Sequence, residues 1–431
     1  MSRLFLICSV LWASLFLIAP VLAQDISPAP EVTLDQLVQQ AIKHYPQLTI
    51  ARQNEEAARE RFKSWRAFPN PTLELVPRLS GNREAADAEI LLSQPIDLFG
   101  KRRATANVKE AEWRAAIAKS TFAKRSLVVK IKQAAINLYA AQEAESLSND
   151  QVEIAQKFHH AAQRRAELGD VPQVQAQRAE LELLRAQNAL ANDKAERLAQ
   201  LAIVNQLVGQ APATPLRVIL PEPQSNATDL SSEERRQFLT TALQSRPDLL
   251  AAQAELQARK AQVNAIRKER FPDVQLQARR GAFFGDESSY ALRAVVTMPI
   301  FDFGSIKHER RAAQAESRAQ QATVDLLRKQ VSTQVEQAML RLQQQWQNVE
   351  RYRSGIVPQT LDLLRKTQIG YEQGASSYLE VLEAQRTFRQ VQNEYLQALT
   401  GTLTSETALE SAMGTALPAE ILSSKTEAHH K

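Results

Sequence analysis

SQPIDLFGKRR, residues 93–103, decides the fold, because the chain writes it twice: TMPIFDFGSIK stands at 297–307. In each copy Pro-Ile (Pro95, Pro299) is followed by an acidic residue, Phe and Gly (Gly100, Gly304), and then a long polar, Ala-rich run begins. An extended stretch that stops on Gly and opens a helix-forming run predicts a strand-to-helix junction, since Gly permits a sharp change of backbone direction. The two junctions lie 204 residues apart, Gly100 to Gly304.

Working outward, other landmarks keep the same spacing. AIKHYPQL (41–48) matches ALQSRPDLL (242–250), and RAFPNPTLEL (66–75) matches KERFPDVQLQ (268–277). ELGD (167–170) matches EQGA (372–375), and NQLVG (205–209) matches ESAMG (410–414). The offset drifts only from 201 to 205, the signature of an internal repeat. The expected organisation is a signal peptide at 1–23, an N-terminal lead at 24–32, a first repeat at 33–210, a linker at 211–232, a second repeat at 233–414, and a flexible tail at 415–431. Four prolines mark the linker.

Each repeat predicts the same order of elements. Short helices at 33–44 and 233–244 lead into helices at 47–67 and 248–270, which Pro69 and Pro272 terminate. A strand hairpin follows in each: TLELVPRLSG with AEILLSQPI, then DVQLQARRG with YALRAVVTMPI. Val274, Leu276 and Ala278 alternate with Gln275, Gln277 and Arg279, the period of a half-buried strand. From Lys101 to Glu167 neither Pro nor Gly intervenes, so one helix of ~100 Å is expected at 1.5 Å per residue. Its stripe Leu127, Ile131, Ala134, Leu138, Ala141, and the stripe Leu327, Val331, Val335, Ala338, Leu342, Trp346, Val349 in the second repeat, have coiled-coil spacing. Turns at GDVP (169–172) and GASS (374–377) send a return helix back to Gly209 or Gly414.

Composition sets the exclusions. Twelve glycines and 6% aromatics in 431 residues, with Ala, Gln, Glu, Arg and Leu dominant, indicate long helices. A net charge of +5 with acids and bases interspersed carries no nucleic-acid signature. Residues 1–23 read as a secretory signal: Arg3, an apolar run to Ala19, and the small-residue site Val21-Leu22-Ala23; the alternative is an uncleaved anchor helix, against which Pro20 and the Ala23 site close the run. The single cysteine, Cys8, falls inside it, so the exported chain is expected to have no lipid-anchor Cys, disulfide or thiolate metal site. No phosphate-binding Gly-rich loop and no HExxH motif is found, and the reading is not an enzyme, with no cofactor. His159 and His160 would point about 100° apart on a helix, His44 and His308 are single, and His429 and His430 lie in the tail, so no bound metal is expected.

No later segment reaches the ~20 apolar residues of a spanning helix. A membrane role therefore falls to the strands. Four strands per chain cannot close a barrel, and an open edge is forbidden in lipid, so several chains would have to close one together. Phe68, Phe271, Phe283, Phe284 and Tyr290 flank the strands where an aromatic girdle would sit.

The paired junctions, the Asn-Pro before the first hairpin, and GASSYLEVLEAQRTF resemble the TolC-type outer membrane efflux proteins over about Thr33 to Gly414. RAFPNPTLEL followed by DLFGKRR is most similar to the CzcC-like heavy-metal branch. The resemblance implies a mainly α, internally duplicated fold: long helical hairpins forming a periplasmic tunnel, and four strands per chain completing a trimeric 12-stranded outer-membrane barrel. It implies a homotrimer in outer-membrane lipid, a periplasmic membrane-fusion adaptor, and an inner-membrane RND pump. The implied cargo is heavy-metal cations of the cobalt, zinc, cadmium or nickel type.

The resemblance also assigns residues at the tunnel's inner end. Glu380 and Glu383 stand i, i+3 on one helix, where three copies would set an acidic ring that favours cations. The alternative is solvated helix acids, with Glu383 facing Arg386 or Thr387. Tyr371 matches the family's gate tyrosine, with packing in the helical seam as the alternative reading; Gln175 falls where an aspartate partner is found and Ser376 replaces the gate arginine, so the charged lock is absent and a Tyr371–Gln175 hydrogen bond is the contact left open to the pair. Gly169, Asp170, Gly374 and Ala375 would form the adaptor-docking tips, and Gly169 and Gly374 are explained first as helix terminators. Lys101, Arg102 and Arg103 open a helix, where the dipole disfavours positive charge, and are read either as phosphate contacts at the inner leaflet or as a solvated helix start. Three rival readings stand beside this one: a duct for drugs or a secreted protein, a periplasmic adaptor, and a structural coiled coil.

Overall fold

The computed structural model describes residues 29–76, 89–221, 230–281, 289–298 and 300–416. The leader 1–23, Phe283, Phe284, Pro299, His429 and His430 lie outside the described residues.

The chain builds the same series of elements twice. In the first, α1 (Leu34–His44) and α2 (Pro46–Arg66) lead to β2 (Thr72–Val76) and β3 (Glu89–Ile96), then to α3 (Lys101–Glu167) and α4 (Gln173–Val208). In the second, α5 (Ser232–Ser245) and α6 (Pro247–Lys268) lead to β5 (Asp273–Gly281) and β6 (Ser289–Thr297). The long helix follows as α7 (Ser305–Arg351) and α8 (Val357–Glu372), and α9 (Tyr378–Met413) returns. Pro46 and Pro247 sit at the first position of α2 and α6, where the missing N–H costs nothing.

Both junctions behave as the repeated motif requires. Gly100 (φ 72°) and Gly304 (φ 87°) are left-handed N-caps of α3 and α7, a conformation that strains other L-residues. Acids offset the unfavourable start of the helices: Asp97 accepts from the Arg103 N–H at 3.0 Å, and Asp302 from the Gly304 N–H at 3.1 Å.

α3 runs unbroken for 67 residues, about 100 Å. Its second-repeat counterpart is interrupted. A five-residue π turn, Tyr352–Ile356, separates α7 from α8. Gly355 lowers helix propensity there, and Pro358, just beyond, cannot supply the N–H for an α-type bond.

Two of the buried clusters hold most of the core. In the first, Leu127, Ile131, Ala134 and Leu138 of α3 pack with Leu37 and Ala41 of α1 and Leu201 and Val204 of α4. In the second, Val331, Val335, Leu342 and Trp346 of α7 pack with Phe238 and Ala242 of α5 and Leu409 and Met413 of α9. Both predicted stripes are thus buried, Leu327 only partly. The linker holds an element the sequence did not announce. β4 (Arg217–Ile219) pairs in parallel with β1 (Glu31–Thr33), and Gln142 of α3 bonds both the Leu216 carbonyl and the Val218 N–H.

The other sheet has the order β2-β3-β5-β6, all antiparallel, so the two hairpins join through β3 and β5 and leave β2 and β6 as edges.

Candidate functional site: barrel wall and helical tip

Cross-strand register divides the four-stranded sheet into two unlike faces. Leu73, Leu92, Ala278 and Leu292 share one face with Leu75, Ile90, Leu276 and Val296, and Gln94 and, over the Tyr290 ring at its far end, Arg280 are the polar members of that face. This face is exposed; Leu292 is 78% accessible. Glu74, Glu89, Ser93, Gln275, Gln277, Arg279 and Arg293 line the opposite face, with Leu91, Val76 and Val295 among them. Its polar groups bond to one another. Glu89 pairs with Arg279, Arg293 donates to Gln277 at 2.9 Å, and Ser93 and Gln277 are buried. A sheet with an exposed apolar face and a hydrogen-bonded polar one is the wall of a barrel with a lipid exterior and a wet lumen. Strands of eight and nine residues in β3, β5 and β6 approach the length of a tilted span. Among the described residues no helix is long and apolar enough to cross a membrane.

Where wall meets tunnel, the two hairpins are clasped. Phe99 after β3 stacks on Phe271 before β5, centroids 5.6 Å apart and planes at 7°. Lys101 reaches Asp273 at 2.9 Å, and Lys268 donates to the Phe99 carbonyl at 3.3 Å. Arg102 donates to the carbonyls of Ser64 and Ala67 at the end of α2 and lies over the Trp65 ring. Lys101 and Arg102 therefore act as internal tethers, which neither reading of the basic run included, while Arg103 is exposed. Of the predicted girdle, Phe68 and Tyr290 are exposed, while Phe271 belongs to the clasp.

At the far end, Gly169 (φ 80°) and Gly374 (φ 75°) close the two hairpins. The Asp170 N–H donates to the Arg165 carbonyl at 2.9 Å, and the Ala375 N–H to the Gly370 carbonyl at 2.7 Å. Each bond satisfies a carbonyl that the end of a helix leaves open. Ser376 packs against Gly370 so closely that a β-carbon there would sit 2.5 Å from its Oγ.

The gate candidates come together differently from the expectation. Among the described residues no hydrogen bond joins Tyr371 to Gln175; the Gln175 N–H donates to the Pro172 carbonyl. Tyr371 instead carries the Arg165 guanidinium over its ring at 5.0 Å, with the Tyr378 ring 6.2 Å away. Tyr378 is buried with Ala162 and Ala179, which joins the two hairpins, and burial together with the nearby Glu182 raises its hydroxyl pKa. Sequence reasoning passed over the ion pair beside it, in which Arg386 of α9 bonds Glu182 of α4. Its signal was weak, since neither residue belongs to a motif.

Glu380 is occupied as a helix cap. Its carboxylate accepts from the Ser377 N–H at 2.7 Å while Ser377 Oγ accepts from the Glu380 N–H at 3.3 Å. Glu383 is exposed, and among the described residues its carboxylate has no ion pair, since Arg386 turns to Glu182 and Thr387 bonds only the Glu383 carbonyl. Of the two acids, Glu383 is the one whose carboxylate is neither capped nor ion-paired among the described residues. Among the described residues no group of three or more His, Cys, Asp or Glu is placed to hold a metal.

A membrane wall continuous with long coiled-coil hairpins defines an outer-membrane channel that carries its own periplasmic tunnel. Residues 37–210 and 238–415 each match the outer membrane efflux protein family, and the chain belongs to it. Among curated relatives, the cobalt-zinc-cadmium resistance protein CzcC of Cupriavidus metallidurans is 26% identical over 354 residues, 81% of this chain and 82% of that protein. The toluene efflux pump outer membrane protein TtgC of Pseudomonas putida is 23% identical over 416 residues, 88% and 82% of the two chains. The solved outer membrane protein VceC of Vibrio cholerae matches with a TM-score of 0.73 at 20% identity, over 89% of this chain and 96% of that one. The TolC-type likeness and the CzcC-like likeness read from the junction motifs are both borne out.

Proposed function

We propose that this chain works as a homotrimer in which three copies of the four-stranded sheet close one outer-membrane barrel, and the helical hairpins form a passive duct across the periplasm. It receives cargo from a periplasmic adaptor at the tips around Gly169, Asp170, Gly374 and Ala375, and an inner-membrane pump of the RND type supplies the energy. A cleaved signal peptide at 1–23 directs export. The observation that carries the reading is the two-faced sheet with both edges unpaired, an arrangement that lipid tolerates only when other copies complete the ring.

The cargo is heavy-metal cations. The likeness to CzcC, spread over most of both chains, supports this. An unpaired Glu383 beside the tip suits cation passage. The likeness to TtgC favours a second reading, a duct for hydrophobic compounds. Growth inhibition of a strain lacking the protein decides between them, with zinc, cobalt, cadmium, nickel, copper and silver salts tested beside drugs and detergent. Sensitivity to some metals alone, restored by the intact gene, is the expected result. Sensitivity to drugs and detergent alone would sink the metal assignment and leave the duct.

A further inference from the structure

The duplication pairs two residues that a single copy leaves bare. Within the chain, β3 lies beside β5, and the Phe99–Phe271 stack closes the junction below them. By the repeat, Phe99 corresponds to Phe303, 204 positions on, and Phe271 to Phe68, 203 positions back. Both counterparts flank the unpaired edges: Phe303 follows β6 and Phe68 precedes β2. They are 97% and 75% exposed. Phe303 is also the one non-glycine among the described residues with a left-handed backbone (φ 46°). Two large exposed aromatics, Phe303 with the exposed, tilted Phe301 ring beside it at 6.3 Å, stand at the two ends of a sheet that must continue and point to each other across a boundary between copies.

We infer that Phe303 of one copy stacks on Phe68 of the next, repeating across each seam of the ring the clasp that Phe99 and Phe271 make inside the chain; this rests on the homotrimer reading above. The strand register follows from the same correspondence. Leu92 opposes Ala278 and Ser93 opposes Gln277 inside the chain, so Val296 opposes Leu75 and Thr297 opposes Glu74 at the seam. An independent check holds, because a one-residue slip would put lipid-facing side chains in the lumen. In this register Val296 and Leu75 both belong to the apolar face, and Thr297 and Glu74 both to the polar face. The polar contact has a counterpart as well. Lys101 and Asp273 correspond to Ser305 and Asn70, so the ion pair of the internal clasp becomes a neutral Ser–Asn pair at the seam. The seam is then the weaker of the two clasps in charge, and it leans more on its aromatic stack.

The test uses the full chain with Cys8→Ser, in outer membranes. Residues directly opposite on antiparallel strands have Cα atoms about 4.5–5.5 Å apart, within disulfide reach. Oxidation should link copies in the Thr297→Cys, Glu74→Cys pair and not in the shifted Thr297→Cys, Thr72→Cys pair. In detergent, Phe303→Ala and Phe68→Ala should each lower the temperature at which the assembly dissociates, and the double change should lower it no further than the larger single one. Light scattering on the chain with both Phe residues intact gives the particle mass. Three copies with a link only in the shifted pair, or with additive Phe effects, would overturn the seam and leave the trimer. A mass of one copy would remove the trimer, and the seam with it.

Discussion

The two repeats share a junction and an order of elements, yet they differ at three heights. The first long helix is continuous over Lys101–Glu167; the second is broken by the π turn at Tyr352–Ile356. At mid-height, Leu201 of the first repeat is fully packed, and its counterpart 205 positions on is Glu406. At the tip, Gln175 and Arg178 of the first correspond to Glu380 and Glu383 of the second. Duplication therefore preserved what membrane insertion demands, the junction and the strands. The second copy carries the mid-height acid, the acidic tip pair and the break.

The membrane wall is where the repeats should be indistinguishable, and where the largest effect is expected. Leu92 and Val296 are equivalent positions on the apolar face. Arg at either should destabilise the barrel by up to about 2–4 kcal/mol near the bilayer midplane, while Gln275→Arg on the polar face should cost far less. The temperature of assembly dissociation in detergent checks this. Unequal effects at Leu92 and Val296 would break the equivalence.

Glu406 sharpens the contrast at mid-height. Burial raises its carboxyl pKa to about 7, and the neighbouring Glu410 adds to the rise. The Trp346 indole favours the ionised form without meeting hydrogen-bond geometry, and Lys132, which pairs with Glu410, pulls the same way; together they offset burial only in part. A pKa raised on folding means the native state holds the proton longer than the unfolded one. Stability is then full below the ordinary carboxyl value of about 4.3 and is lost as pH climbs from there to 7. Over that window the loss is on the order of 3 kcal/mol. Glu406→Leu, which restores the first repeat's residue, should abolish the slope and stabilise the chain at pH 8. Denaturation followed by helical circular dichroism across pH 4 to 8 would show it. An unchanged slope would mean that the Glu406 carboxyl is not its source.

How much of this was legible follows from what leaves a pattern. The repeated Pro-Ile…Gly motif fixed the junctions, Pro69 and Pro272 the ends of α2 and near α6, and the 4-3 spacing of Leu127 to Ala141 the buried stripe. Those features act on backbone and burial, which print themselves as residue types at regular spacing. The clasp of Lys101 and Arg102 did not show, because its partners, Asp273 and the carbonyls of Ser64 and Ala67, are distant in sequence or are backbone atoms. Arg165 over Tyr371 was hidden for the same reason. Glu406 did leave a trace, because setting it beside Leu201, its counterpart 205 positions earlier, pairs an acid with an apolar core residue.

Smaller effects test how each return helix is seated. Gly209 (φ 77°) and Gly414 (φ 73°) end α4 and α9 against the α1–α2 and α5–α6 corners. A β-carbon at Gly414 would meet the Arg246 Cα at 2.9 Å, and one at Gly209 the His44 Cβ at 3.0 Å. Left-handed strain alone makes either Ala change cost about 1–2 kcal/mol. Gly414→Ala should cost more, since backbone yields less than a side chain; unfolding midpoints of the two variants compare them. Gly355, with open space around it in the π turn, should behave oppositely. Gly355→Ala should stabilise by about 0.5–1 kcal/mol and slow amide exchange near Tyr352.

The two faces of the sheet meet different solvents. Spin labels placed singly along β5 and β6 in outer membranes, read for collision with oxygen and with a water-soluble nickel chelate, test it most directly. At Leu276, Leu292 and Val296 oxygen should dominate, and at Gln275, Gln277 and Arg293 the chelate, alternating residue by residue. Chelate access at every position would show a sheet in water, and the channel reading would fall.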